Sequence, residues 1–208
     1  MINTVLRHPA AKPLVFVACL LPLAWLAWRL FGGGPQGGAF AANPQEYLNR
    51  YLGDWALRAL LATLALTPLS NLTGARGFVR FRRMLGLYGF FYVCLHLTSY
   101  TWLDQGFYWP EIWKDIIKRT YITVGMASFI LLIPLAATSW NGMIQRLGAV
   151  RWRRLHQVFY VIAPLACLHF FMMRKGIQIE PIIYAGICGV LLGLRLLNKL
   201  KAVRRAAP

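Results

Sequence analysis

Six stretches of this sequence are long and apolar enough to cross a bilayer, and nothing else in it limits the fold so strongly. They run over 14–31, 51–70, 84–103, 121–139, 155–173 and 181–198, each close to the roughly 20 residues a helix needs to cover the hydrocarbon core. Charge, Gly, Pro or Asn marks each end. Away from the ends only Arg58 is charged; Arg195, near the end of the sixth stretch, can snorkel to the headgroups. Backbone polar groups in lipid must be satisfied inside the segment or around a closed barrel, and unbroken apolar runs of this length suit helices. The expectation is an all-α integral membrane protein, with six transmembrane helices in a single domain over 1–208. The first stretch has a rival reading, because Ala39-Phe40-Ala41 resembles a signal-peptidase site. Its apolar region exceeds a signal core and the Gly-rich run before the Ala site is long, so a retained span is expected.

Composition agrees. Charged residues make up 14% of the 208-residue chain, against about 25% in soluble domains. Disorder is excluded by the apolar content, and four cysteines are too few for a disulfide scaffold. The net charge of +17 would suit a nucleic-acid binder, but such a protein is not normally this apolar. The charge is instead sorted by side. The N-terminal tail, the 71–83 loop, the 140–154 loop and the C-terminal tail hold fourteen Lys and Arg and no acid, whereas the alternate segments hold all six acids. The positive-inside rule then puts both termini in the cytoplasm. Tyr47, Tyr51, Trp55, Trp102, Tyr108, Trp109, Trp113 and Tyr121 gather at the outer edge as an aromatic belt.

The connections leave no room for a water-soluble domain. There is no GxGxxG on a strand-to-helix turn and no GxxxxGK[ST], so a nicotinamide or ATP domain is not expected; Gly32-Gly33-Gly34 reads as a flexible connection.

Histidine carries the chemistry. His96 and His169 sit at matching depths in the outer halves of two parallel spans, and His156 begins the fifth span at its inner end; His8 lies in the polar tail. Ionisable groups inside a membrane usually face the bundle interior with a partner. Two facing imidazoles could form a polar contact, a metal site or the axial ligands of a haem. Zinc would want three or four ligands, and Cys94 and Cys167, two residues before each histidine, do not share its face. A bis-histidine haem needs two ligands and an apolar slot, for which Tyr88, Phe90, Phe91, Tyr92, Phe159, Tyr160, Phe170 and Phe171 are candidates. Without a CxxCH such a haem is non-covalent, of type b. His156 lies well over 90° around the helix from His169, although Pro164 alters that angle. Arg82 lies at the depth of His156 and suits a propionate or phosphate.

Arg82 and Arg83 belong to basic loops that include Arg76, Arg80, Arg146, Arg151, Arg153 and Arg154. Their plainer role is topology and contact with anionic lipid; the functional one is a surface for a phosphorylated cofactor such as FMN, or for a soluble donor. Arg58 either snorkels outward or neutralises a propionate. Asp104, Glu111 and Asp115 read as solvated loop charges or as steering groups for a partner.

Arg82-Arg83-Met84-Leu85-Gly86-Leu87, Leu95-His96-Leu97-Thr98-Ser99-Tyr100, Arg154-Leu155-His156-Gln157-Val158-Phe159-Tyr160 and Ile183-Tyr184-Ala185-Gly186 resemble the bacterial haem-binding membrane subunits of the MsrQ (YedZ) family, as do Leu61-Ala62-Thr63 and Thr67-Pro68-Leu69. That family lies within the ferric-reductase-like transmembrane group, and the likeness runs from about Leu20 to Leu200. It implies a haem-binding bundle in the bacterial inner membrane that takes electrons from the respiratory quinone pool. Haem b passes them to a periplasmic molybdopterin methionine sulfoxide reductase, MsrP, which repairs oxidised proteins; FMN is also associated with the family. His96, His156 and His169 fall on its three membrane histidines. Arg82 stands near the place of a fourth histidine in related oxidases, so the likeness implies one haem and leaves a second open. The chain is then an electron-transfer subunit whose partner does the sulfoxide chemistry. A six-span transporter and a non-redox anchor for a periplasmic enzyme are the alternatives.

Overall fold

A computed structural model describes residues 2–32, 39–174, 176 and 178–206; Gly33 and Gly34 of the expected flexible connection, and the basic residue Lys175, lie outside them. The described chain is helical throughout. In order it forms α1 (Ile2–Arg7), α2 (Ala11–Leu30), α3 (Ala39–Ala42), α4 (Pro44–Thr73), a 3-10 turn (Arg76–Phe81), α5 (Arg82–Thr98), a π turn (Ser99–Asp104), α6 (Trp109–Lys118), α7 (Thr120–Ala137), α8 (Asn141–His156), α9 (Phe159–Met173) and α10 (Ile179–Ala206).

Among the described residues, four segments are long and apolar enough by themselves to cross a membrane: Ala11–Leu30, Thr120–Ala137, Asn141–Met173 and Ile179–Lys201. The expected stretches 51–70 and 84–103 fall on α4 and α5, which do not qualify alone, for two physical reasons. Asp54 and Arg58 dilute the apolar content of α4, and α5 has 17 residues before its hydrogen bonding changes to the π pattern. The sequence expectation also missed the length of α4, 30 residues.

Local sequence explains where α4 starts and stops. The Asn43 side chain accepts from the Glu46 backbone N–H at 3.1 Å and donates to the Glu46 carboxylate at 3.2 Å, with Pro44 opening the first turn. Gly74 ends the helix at φ 70°, a left-handed cap that costs a glycine little. Between these ends α4 is the hub, packing against α5 on one side and against α9 and α10 on another.

The core forms where these helices meet. Leu57, Leu61 and Leu64 of α4 pack on Ala163, Cys167 and Phe170 of α9 and Cys188 of α10, while Leu60 joins Leu132 and Leu135 of α7 and Ile162 of α9. Leu64 has no exposed surface. Leu64→Ala should therefore lower stability by about 2–5 kcal/mol, read as a drop in the thermal midpoint of the detergent-solubilised protein. Helix α2 packs through Leu26 on Leu52, Ala56, Tyr88 and Tyr92, and polar contacts hold it as well. Tyr88, Tyr92 and Tyr51 donate to its carbonyls at Phe16 (3.0 Å), Cys19 (2.7 Å) and Pro22 (3.0 Å), the kind of hydrogen bond that joins helices where lipid supplies no hydrophobic drive.

Two short helices lie at opposite ends of the bundle. Helix α6, at the acidic end, exposes Trp109, Trp113 and Ile117 at four-residue spacing and buries Ile112 and Asp115, the pattern of an interfacial helix. Helix α8 carries the basic 140–154 loop and turns sharply at Gly148 (φ 74°).

Candidate functional site

Helices α5 and α9 bring His96 and His169 together edge to face. The ring centroids are 6.3 Å apart and the planes cross at 73°. The Nδ1 of His96 lies 2.9 Å from the Asn49 carbonyl oxygen on α4, and that of His169 lies 2.6 Å from the Tyr121 carbonyl oxygen on α7. A carbonyl can only accept, so each Nδ1 carries the proton and each Nε2 keeps its lone pair for a ligand. Such a contact fixes ring orientation and raises ligand basicity. Asn49 also donates through its side chain to the His96 carbonyl (3.2 Å) and the Ser99 hydroxyl (2.9 Å), tying the start of the π turn to α4.

The same device serves both histidines. On α4 the acceptor Asn49 is followed four residues later by Gly53, and on α7 Tyr121 is followed four residues later by Gly125. Residues i and i+4 lie one above the other on a helix face, so a side chain at the second position would stand over the carbonyl of the first. A Cβ at Gly53 would lie 3.1 Å from Cε1 of His96; one at Gly125 would lie 2.8 Å from Nδ1 and 2.9 Å from Cε1 of His169. The two glycines let the imidazoles lie flat against the neighbouring helices.

Between these helices is a cavity of about 550 Å³, within the range of cofactor pockets, roughly 300–1,000 Å³. Its walls include Leu57, Leu60, Val93, Leu97, Met126, Phe129, Leu132, Phe170 and Met173, and its acidic-end rim carries Glu46, Arg50, Asp104, Gln105 and Arg119. Of the expected aromatic slot only Phe170 lines it; Tyr88 and Tyr92 instead face α2. Rim residue Arg50 pairs with Glu46, and Arg119 pairs with Asp115 at 3.1 Å. Asp115 is buried and also accepts from Tyr100 and Gln105, so it ties the loop at the acidic end together rather than meeting solvent.

The spacing of the rings has a chemical meaning. A ring nitrogen sits about 1.1 Å from its ring centre and nitrogen–metal bonds are about 2.0–2.1 Å, so two imidazoles on opposite sides of one metal have centroids about 6.3 Å apart. No group of three or more His, Cys, Asp or Glu suited to a bare ion occurs among the described residues. A metal that brings its own equatorial ligands, as haem iron does, fits two histidines in an apolar cavity.

The other expected site residues lie elsewhere. His156 is at the basic end: it stacks on Trp152 with centroids 3.9 Å apart, its Nδ1 is 3.0 Å from the Trp152 carbonyl, and its Nε2 is 3.4 Å from the Ser139 hydroxyl. Arg82 is half-buried near Arg195 and Tyr160, and its side chain has no hydrogen bond or ion pair among the described residues. Arg195 donates to the Tyr160 hydroxyl and the Leu64 carbonyl, each at 2.7 Å. Arg83 reaches Asn141 Oδ1 at 2.6 Å. Arg58 is not in the histidine cavity wall: it donates to the Tyr184 hydroxyl at 2.8 Å, faces Glu180 at 3.9 Å and lies over the Trp55 ring. Arg58 thus pairs its charge with Glu180 of α10, and the guanidiniums at the cavity rim are Arg50 and Arg119.

Residues 52–167, which include His96 and the cavity-lining parts of α4, α5 and α7, match the family described as "Ferric reductase like transmembrane component". Three curated relatives are each called protein-methionine-sulfoxide reductase heme-binding subunit MsrQ. That of Rhodospirillum rubrum is 54% identical over 199 residues, 96% of this chain and 92% of the relative. That of Polaromonas naphthalenivorans is 50% identical over 202 residues (96% and 90%), and that of Caulobacter vibrioides 44% identical over 195 (94% and 90%). The chain belongs to the MsrQ family.

Proposed function

We propose that this chain is the haem b electron-transfer subunit of a periplasmic methionine sulfoxide reductase system, with His96 and His169 as the axial ligands. The observation that carries the reading is the histidine pair, with centroids 6.3 Å apart and each Nδ1 held by a carbonyl of a neighbouring helix. Haem, when bound, supplies a one-electron carrier. The chain's own residues orient it: Gly53 and Gly125 admit the rings, the apolar walls exclude water, and Arg50 and Arg119 stand at the rim where propionates would lie.

Direction follows from charge. With the fourteen acid-free cations in the cytoplasm, α2, α4, α5, α7, α9 and α10 supply six spans of an inner-membrane domain with both termini inside. The histidine cavity then opens toward the periplasm; the relatives are named as the heme-binding subunit of a protein-methionine-sulfoxide reductase, which supports a separate subunit for the reductase activity. Quinone as donor, and MsrP with its molybdopterin as acceptor, follow from membership in the family. No part of this chain is assigned the sulfoxide reduction itself.

Two finer points belong to this reading. A second haem would use His156 as a ligand, with Arg82 and Arg195 beside it to meet carboxylates. FMN enters through the family likeness alone, and its phosphate would be met by Arg83 and the arginines of the 140–154 loop. Purified protein reduced with dithionite is expected to show the Soret and α bands of haem b, and pyridine haemochrome analysis to give at least one haem per chain. A colourless preparation that binds no added haemin would refute the proposal and favour the transporter or anchor.

A further inference from the structure

A second cavity, of about 670 Å³, opens at the basic end between α2, α5 and the start of α8. Lys12, Arg80 and Arg83 form its charged rim, while Leu20, Leu87 and Phe91 lie along its wall. Arg83 and Phe91 on α5 are eight residues apart, as are Lys12 and Leu20 on α2, so the charged rim gives way to apolar wall over about 12 Å of rise along both helices. Leu87 and Phe91 are exposed, as side chains that meet lipid would be.

The rim charge is not cancelled within the protein. Arg80 is fixed by the Leu6 carbonyl at 2.9 Å and Arg83 by Asn141 Oδ1 at 2.6 Å, both neutral acceptors. All five ion pairs among the described residues involve the acidic end instead. Three cations above an apolar trough that runs parallel to the spans call for an amphiphile with an anionic head and long apolar chains. A quinone head is neutral and leaves the cations unmet; a free phosphate leaves the wall unmet. Basic pockets between spans at a membrane surface take phospholipid headgroups in this way, with arginine matching phosphate geometry.

We propose that this groove is a binding site for one anionic phospholipid of the phosphatidylglycerol type, its phosphate on Lys12, Arg80 and Arg83 and its acyl chains along α2 and α5. The site is independent of the histidine cavity; the orientation proposed above decides only that the inner leaflet supplies the lipid.

Native mass spectrometry of the delipidated, haem-loaded full chain tests it, with phosphatidylglycerol, phosphatidylethanolamine or inorganic phosphate added. Phosphatidylglycerol should be retained over phosphatidylethanolamine, and millimolar inorganic phosphate should not displace it. The Lys12→Gln/Arg80→Gln variant should bind phosphatidylglycerol about 30-fold more weakly, and Lys12→Gln alone about fivefold, at the usual strength of a basic residue near a charged membrane surface. Lys12 makes no hydrogen bond among the described residues, so its single variant keeps the fold. Lys199→Gln/Lys201→Gln removes equal charge from the same end outside the groove and should change binding less than about threefold. An unchanged Soret band in each variant separates failure here from failure of the haem reading. Equal retention of the two lipids, an equal loss in the Lys199/Lys201 variant, displacement by phosphate, or capture of FMN in place of lipid would each overturn the proposal.

Discussion

His96→Ala and His169→Ala should each weaken haem binding by more than about 100-fold, because loss of even an outer-shell partner of a metal ligand costs 10–100-fold. The Soret band per chain would fall nearly to background in both variants, and electron delivery to the partner reductase would fall with it. The two losses should be similar in size, since both rings line one cavity and no other histidine lines it. The truncated side chains leave space in a cavity that already measures about 550 Å³, so the bundle should remain folded. External imidazole distinguishes ligation from folding: it should enter the space left by the missing ring and restore a low-spin spectrum. His156→Ala, by contrast, should keep this signal, because His156 lies against Trp152 and Ser139 outside the cavity. Full haem content in both His96→Ala and His169→Ala would overturn the pairing.

What could be read from sequence here was whatever has a period or a depth. Apolar runs located the helices, and equal distances from the basic helix ends put His96 and His169 at one level, where the structure brings them together. Features set by the angle between helices were not legible. The acceptors for the two Nδ1 atoms are backbone carbonyls, which no residue type advertises. Gly53 and Gly125 look like ordinary small residues until a second helix lays a ring on each; the Asn49–Gly53 and Tyr121–Gly125 spacing was the available signal. Arg58 shows the same limit from the other side. Its depth left outward snorkelling and a propionate both open, whereas the rotation of α4 turns it toward Tyr184 and Glu180 of α10. The aromatic slot was assigned from α5 and α9 alone, and α4 and α7 supply much of the wall.

Gly125→Ala should reduce haem affinity about tenfold or more, although on helix propensity alone it would stabilise α7 by about 1 kcal/mol. Two effects oppose each other, and geometry decides between them. The added methyl would stand 2.8 Å from Nδ1 and 2.9 Å from Cε1 of His169, closer than carbon approaches a ring. His169 cannot retreat without leaving the Tyr121 carbonyl, 2.6 Å away on the same face of α7. The ring must therefore tilt, which lengthens that hydrogen bond and moves Nε2 off the axis shared with His96. The expected signature is a raised thermal midpoint or none lost in the haem-free protein, together with weaker haem retention and altered low-spin electron paramagnetic resonance. Gly53→Ala should do the same more weakly, because the nearest approach to His96 is 3.1 Å and a shift of a few tenths of an ångström relieves it. Wild-type haem affinity and spectrum in Gly125→Ala would mean that the ring does not rest on this glycine when the cofactor is in place.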